Sequence, residues 1–75
     1  MMDQKHYLLR QGALEQCSLL SEGWIYVGRF NDAGRDIVTL RHPNGNRAKI
    51  IVTPRYWELY INHNLVKGET FDESR

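Results

Sequence analysis

The stretch IVTLRHPNGNRAKIIVT, residues 37–53, places two apolar runs on either side of a polar segment. Its β-branched valines and isoleucines favour extended strands. The Pro, Asn and Gly between the runs are residues that tight turns select. The stretch therefore predicts an antiparallel hairpin, with strands at 36–42 and 47–53 and its tip at 43–46.

Burial decides the expected register of this hairpin. A three-residue loop at 44–46 pairs Val38 with Val52 and makes one sheet face apolar, whereas a two-residue turn mixes polar and apolar partners on both faces. Because a one-residue slip exchanges the faces, we expect the odd-length loop. The opposite face then carries Arg41 beside Lys49, a like-charge pair that costs about 0.2–1 kcal/mol.

The chain before the hairpin predicts a third strand. WIYVGRF, residues 24–30, is rich in β-branched and aromatic side chains, and NDAGR, residues 31–35, has the composition of a turn. These segments and the hairpin make a three-stranded antiparallel meander. Alternation along the first strand places Ile25, Val27 and Arg29 on one face, where we expect Arg29 to join the exposed cations.

Two helices are expected to flank the meander. GALEQCSLLSEG, residues 12–23, contains good helix formers and ends at a glycine. Gly12 is expected to interrupt any helix before it, which leaves residues 6–10 as strand or helix. TPRYWELYINHNLVKG, residues 53–68, opens with a capping Thr and a Pro and has a broad apolar face. The fold class is α+β in the order α-β-β-β-α, with a possible extra N-terminal strand.

Length and composition predict one folded domain. The chain has 75 residues, of which 41% are hydrophobic and 25% charged, as in soluble globular proteins. We expect a globular domain over 1–68 and a flexible acidic tail over 69–75. The sequence contains no run of about 20 apolar residues and no apolar N-terminal block typical of a signal peptide. With a single cysteine, these features predict a cytoplasmic protein that does not bind membranes.

The sequence lacks the patterns that catalysis and metal binding require. Cys17 and the three histidines are widely separated and do not have the spacing of zinc ligands. We find no nucleophile elbow and no phosphate-binding glycine loop. Asp32 and Asp36 flank a turn, where Asp commonly bonds its own backbone. We therefore predict a protein that is not an enzyme, with no catalytic residue, metal, cofactor or small-molecule substrate.

The uneven distribution of charge is the feature that points to function. The net charge is +1, yet residues 29–55 hold six basic and two acidic side chains, and residues 69–75 hold three acidic and one basic. Arg41 beside Lys49, and Arg55 at the start of the expected last helix, are both electrostatically unfavourable. Local violations of this kind are typical of functional surfaces. The candidate binding residues are Arg29, Arg35, Arg41, Asn44, Asn46, Arg47, Lys49 and Arg55.

Two classes of function are consistent with a basic sheet face. The first is a non-catalytic regulatory protein that acts on nucleic acid, DNA or RNA, or on the machinery that handles it, such as transcription. The second is a protein–protein regulator or inhibitor, like the accessory proteins of viruses and plasmids, that binds an acidic protein surface. In that case Ile25, Val27 and Ile51 are the apolar interface. Either protein can be a monomer or a homodimer.

Two structural explanations compete with both functions. Exposed Lys and Arg also keep sheet edges soluble and unpaired. The three apolar residues of the second function can instead pack under the N-terminal segment, which would cover both sides of the sheet. The basic patch is then reduced to Arg41, Arg47 and Lys49.

Overall fold

The computed structural model describes residues 4–71 as one helix followed by a five-stranded antiparallel sheet. The elements are α1 Gln4–Ser21, β1 Ile25–Asp32, β2 Arg35–Arg41, β3 Arg47–Val52, β4 Tyr56–Ile61 and β5 Asn64–Thr70. The strands lie in the sheet in sequence order, so the sheet is a meander of four hairpins. The α+β class is confirmed, whereas the expected three-stranded sheet and C-terminal helix are wrong.

The helix α1 lies across β3 and β4 on one side of the sheet. We call this side the helix face and the opposite side the open face. Leu8, which is 0% exposed, and Leu19 point from α1 into the core. The sheet contributes alternate residues to the same cluster: Val38, Leu40, Ala48, Ile50, Val52, Trp57 and Leu59. Fully burying an aliphatic side chain contributes about 1.5–3 kcal/mol, so this one face holds most of the core.

Gly12 lies inside α1 and does not interrupt it. The helix is continuous from Gln4, so residues 6–10 are helical and the possible extra N-terminal strand is absent from the described residues. A Cβ atom built on Gly12 would lie 2.5 Å from Cγ2 of Val52. Glycine therefore allows the helix backbone to approach β3, and this packing outweighs the low helix propensity of glycine.

The predicted end of the helix is confirmed. Gly23 has a φ of 97°, in the left-handed region that glycine adopts without strain. Its N–H donates to the Leu20 carbonyl at 3.2 Å, and the Trp24 N–H donates to the Leu19 carbonyl at 3.1 Å. This pair of bonds is a Schellman motif, which satisfies carbonyls at the helix end and directs the chain into β1.

The expected helix over 53–68 is instead the β4–β5 hairpin. The Thr53 hydroxyl accepts hydrogen bonds from the N–H groups of Arg55 and Tyr56, as a helix-capping residue does. However, the Thr53 N–H also donates to the Tyr56 carbonyl at 2.8 Å. That bond closes a tight hairpin loop with Pro54 in its first position, so the same Thr-Pro signal serves a turn.

The residues after this turn alternate with the period of a strand. Trp57 and Leu59 are buried on the helix face, while the neighbouring polar and aromatic side chains point to the open face. Asn62 and His63 have φ values of 51° and 70°, as a two-residue type I′ turn requires. The chain then returns as β5, which includes residues 69 and 70 of the expected tail. Residues 72–75 of that tail lie outside the described residues.

The central hairpin has the predicted three-residue loop, displaced by one residue. The Gly45 N–H donates to the His42 carbonyl at 2.9 Å, and the His42 N–H donates to the Asn46 carbonyl at 2.8 Å. The loop is therefore 43–45, because Pro43 suits the second position of a type I turn and Gly45, at a φ of 100°, takes the left-handed position after it.

This displacement changes the cross-strand partners by two residues and preserves the two faces. Val38 lies opposite Ile50, where the prediction placed Val52, and Arg41 lies opposite Arg47. Since side chains alternate with a period of two, the apolar positions still point to the helix. The predicted partners are wrong, and the predicted division into an apolar and a basic face is confirmed.

Candidate functional site

The open face gathers three cations near the tip of the β2–β3 hairpin. Arg41 and Arg47 are cross-strand partners, and Lys49 follows two residues along β3 on the same face. Within residues 4–71, no acidic side chain forms an ion pair with any of the three. Each like-charge neighbour raises the free energy of the isolated protein, so this cluster favours binding of an anion.

The three cations border a shallow groove in the open face. The groove has a volume of about 420 Å³ and extends from Val27 on β1 to Tyr60 on β4. Thr39 lies in the groove between Val27 and Tyr60, opposite Lys49 in the sheet. The groove is lined by Val27, Thr39, Leu40, Arg41, Arg47, Ala48, Lys49, Tyr60 and His63. The groove thus combines positive charge with apolar and aromatic surface.

Tyr60 is the tyrosine of this groove, and both its ring and its hydroxyl contact neighbouring side chains. The Lys49 ammonium lies 5.4 Å from the centroid of its ring, within cation–π distance. The Tyr60 hydroxyl donates a 3.0 Å hydrogen bond to the Glu58 carboxylate. This hydrogen bond, followed by desolvation and the negative charge of Glu58, raises the pKa of Tyr60 above its ordinary value. The hydrogen bond to Glu58 and the contact with Lys49 together orient the ring.

The asparagines of the hairpin tip form hydrogen bonds that fix the backbone next to the three cations. The Asn44 side chain accepts a 2.9 Å hydrogen bond from the Asn46 N–H within the turn. Asn46 in turn accepts a bond of 3.0 Å from the amide of Asn62, whose own oxygen accepts the Arg47 N–H at 3.0 Å. The predicted Asn44 and Asn46 are thus next to the cluster, and Asn62 ties the neighbouring hairpin to it. The sequence does not point to Asn62, because the segment 53–68 predicts a helix rather than a turn at this residue.

Arg29 lies apart from the cations that it was expected to join. An irregularity between Tyr26 and Gly28 shifts the alternation of β1 and places Arg29 opposite Val38, on the helix face. Its guanidinium makes two bonds to Asp36, Nε to Oδ1 at 3.0 Å and Nη2 to Oδ2 at 2.7 Å. These hydrogen bonds and the carboxylate charge raise the pKa of Arg29. The signal in the sequence was Gly28, since a glycine inside a strand often marks a bulge.

Arg35 and Arg55 lie at the other end of the sheet. Arg35 begins β2 and Arg41 ends it, so at about 3.3 Å per residue the two are roughly 20 Å apart. Arg35 forms an ion pair of 2.7 Å with Asp32, and the hydrogen bond to Asp32 raises its pKa. Arg55 lies in the β3–β4 loop, where its carbonyl accepts the Phe71 N–H at 2.8 Å. Neither residue belongs to the groove.

Of the predicted apolar interface, two residues are exposed and one is buried. Ile25 and Val27 lie on the open face, Val27 at 57% exposure. Ile51 is only 5% exposed, although α1 lies on the opposite side, and its cross-strand neighbours on the open face are Ile37 and Glu58. The shifted alternation of β1 adds Phe30 to the open face, at 52% exposure. Hence residues 4–21 of the N-terminal segment do not cover this face, and Ile51 stabilises the fold.

Comparison with protein-family models, with curated proteins and with solved structures finds no match to this chain. In the described part of the chain, no helix combines the length and apolar character needed to cross a membrane. Among the same residues, no three His, Cys, Asp or Glu side chains come together as a potential metal site. The candidate site is therefore defined by the groove and its three cations alone.

Proposed function

We propose that this chain is a non-catalytic regulatory protein that binds nucleic acid through the open face of its sheet. The observation that carries the proposal is the cluster of Arg41, Arg47 and Lys49, which has no acidic partner among residues 4–71. Three adjacent cations on a surface with a shallow groove are suited to contact consecutive phosphates. Arg29 and Arg35 are neutralised by Asp36 and Asp32 and take no part.

The number of cations sets the expected strength and salt dependence. Neutralising three phosphates gives a slope of log K against log salt of about −2 for a single strand and about −2.7 for a duplex. Affinity should thus fall roughly 20- to 40-fold between about 50 and 200 mM salt. Binding of this kind is moderate, in keeping with the low net charge of +1.

The test is a titration of fluorescently labelled DNA and RNA at these two salt concentrations. In the double variant Arg41→Glu with Lys49→Glu, the cluster changes sign, and we expect binding to be lost. The matched control is Lys5→Glu with Arg10→Glu, which makes the same change in net charge on the exposed surface of α1. We expect the control to keep the wild-type salt slope. Equal loss in both variants would show that only net charge matters, which contradicts the proposed site.

The second candidate is a regulator that binds an acidic surface on a partner protein. It is favoured by apolar side chains on the open face, Val27 at 57% and Phe30 at 52% exposure, which contribute little to phosphate binding. The variant Phe30→Ser separates the two functions, because Phe30 lies outside the groove lining. If wild type forms a protein complex in nuclease-treated lysate and Phe30→Ser does not, while the two bind oligonucleotides with equal affinity, the result would support the protein partner.

A further inference from the structure

We propose that the groove binds an unpaired segment of single-stranded nucleic acid, with one base stacked on Tyr60. This inference rests on the proposed function and specifies its ligand. The juxtaposition that carries it is an aromatic ring and an ammonium group 5.4 Å from its centroid, in a groove bordered by two further cations. A nucleotide presents the complementary pair, a flat base and a phosphate.

The shape of the site favours an unpaired strand over a duplex. In a duplex the base faces are stacked on each other, so an aromatic side chain cannot reach them without unstacking. In a single strand every base offers a face, and stacking on aromatic rings supplies much of the affinity. A groove of about 420 Å³ that combines apolar surface with cations has room for a base and its phosphate. Phosphate contacts alone do not require such a groove.

The cations are placed to hold phosphates on the hairpin side of the stacked base. The Lys49 ammonium lies over one face of the Tyr60 ring, so we place the base on the other face. Arg41 and Arg47 lie farther along the groove towards the hairpin tip. Because an arginine guanidinium plane also stacks on bases, Arg41 and Arg47 are suited to contact either the phosphate or the base of a nucleotide. The Glu58 carboxylate is engaged by the Tyr60 hydroxyl at 3.0 Å, which fixes the ring next to the cations.

The width of the site limits the segment to a few nucleotides. From Val27 on β1 to Tyr60 on β4 the groove crosses three strand spacings, about 14 Å. A groove of this width holds only a few nucleotides, at the low end of the roughly 4–16 nucleotides that sheet-based single-strand sites cover. We therefore expect a short oligonucleotide to bind as tightly as a long one when affinity is expressed per site.

The test compares a labelled oligothymidine of twelve nucleotides with a blunt-ended duplex of twelve base pairs, made of two separate strands, at about 50 mM salt. We expect the single strand to bind at least tenfold more tightly. Tyr60→Leu should weaken single-strand binding about 5- to 150-fold, the loss expected for one stacked base. Its salt slope should stay unchanged, since the phosphate contacts remain. Circular dichroism verifies that each variant is folded.

Tyr56→Leu is the matched control, because Tyr56 also lies on β4 and by alternation shares the open face with Tyr60, but it is absent from the groove lining. We expect its single-strand affinity to stay within twofold of wild type. If the duplex binds as tightly as the single strand, or if Tyr60→Leu and Tyr56→Leu behave alike, the inference is overturned and the proposed function stands. If neither nucleic acid binds, or if polyglutamate binds as tightly, both are overturned.

Discussion

At Gly12 the backbone of α1 approaches the side chain of Val52 so closely that a methyl group has no room. A Cβ atom there would lie 2.5 Å from Cγ2 of Val52. We expect Gly12→Ala to lower the free energy of unfolding by up to about 2 kcal/mol, because overpacking costs about 1–3 kcal/mol and the gain in helix propensity offsets about 1 kcal/mol of it. Thermal unfolding should show a decrease in Tm of roughly 4–8 °C per kcal/mol.

Gly28→Ala is the control for this substitution. A Cβ on Gly28 would have no atom within 4 Å, and its φ is not positive. We expect its stability to stay within about 0.5 kcal/mol of wild type. An equal Tm for the Gly12→Ala variant and wild type would show that α1 does not pack on β3 at the described distance.

A second residue-level prediction concerns Tyr7, which links α1 to β5. Its hydroxyl donates to both Glu69 oxygens at 3.0 and 3.1 Å, and the Trp57 indole donates to the same carboxylate at 2.9 Å. The hydrogen bond to Glu69 comes first among the causes that raise the pKa of Tyr7, followed by burial and the negative charge. A pKa that is higher in the folded state than in the unfolded state stabilises the protein. This stabilisation is fully present below the unfolded pKa of about 10, and it is lost as the pH rises through the folded pKa.

We therefore expect Tyr7→Phe to have a lower Tm than wild type at pH 8. The difference should shrink above about pH 10, as the wild-type tyrosine loses its proton and the bond to Glu69. Thermal unfolding at several pH values between 8 and 11 measures this difference. A constant difference across that range would contradict the described hydrogen bond.

At the level of elements, the sequence predicts the central hairpin and its faces but not the two C-terminal strands. The hairpin faces follow from burial, which is stronger than any local preference. The signal Thr53-Pro54 is ambiguous, because a hydroxyl that caps helix amides can bond the same amides in a tight turn. The apolar and aromatic residues over 56–61 fit the alternation of a strand and also fit a broad helical face, so the sequence does not distinguish the two structures.

The type I′ turn between β4 and β5 provides a test of this correction. His63 adopts a φ of 70°, which costs about 1 kcal/mol for a residue other than glycine. We expect His63→Gly to raise the free energy of unfolding by up to about 1 kcal/mol, as measured by urea denaturation. In a helix over 53–68 the same change would lower stability by about 1 kcal/mol.

Asn62→Gly is the matched variant at the neighbouring turn position. Its side chain bonds both the Arg47 N–H and the Asn46 amide oxygen, each at 3.0 Å. Losing two such hydrogen bonds should lower stability by about 1 kcal/mol, even though glycine also accepts the positive φ of this position. Opposite signs for the two substitutions are the expected result, and equal signs would contradict the turn as described.

For the whole molecule, the sequence predicts a basic sheet face, and the fold decides which cations belong to it. Arg41, Arg47 and Lys49 share the open face because they alternate along two paired strands, a pattern visible in the sequence. Arg29 moves to the helix face because of a bulge, which has only a single glycine as its sequence signal. Tyr60 joins the groove through β4, where the sequence predicts a helix, so the aromatic part of the site is visible only in the structure.

The central claim is that the open face is the binding surface. The most direct measurement is a 15N–1H correlation spectrum of the 75-residue protein, titrated with oligothymidine at low salt. We expect the largest changes at Thr39, Lys49 and Tyr60, with residues 4–21 of α1 unaffected. Changes centred on α1, or a spectrum that does not change at saturating oligonucleotide, would contradict the claim.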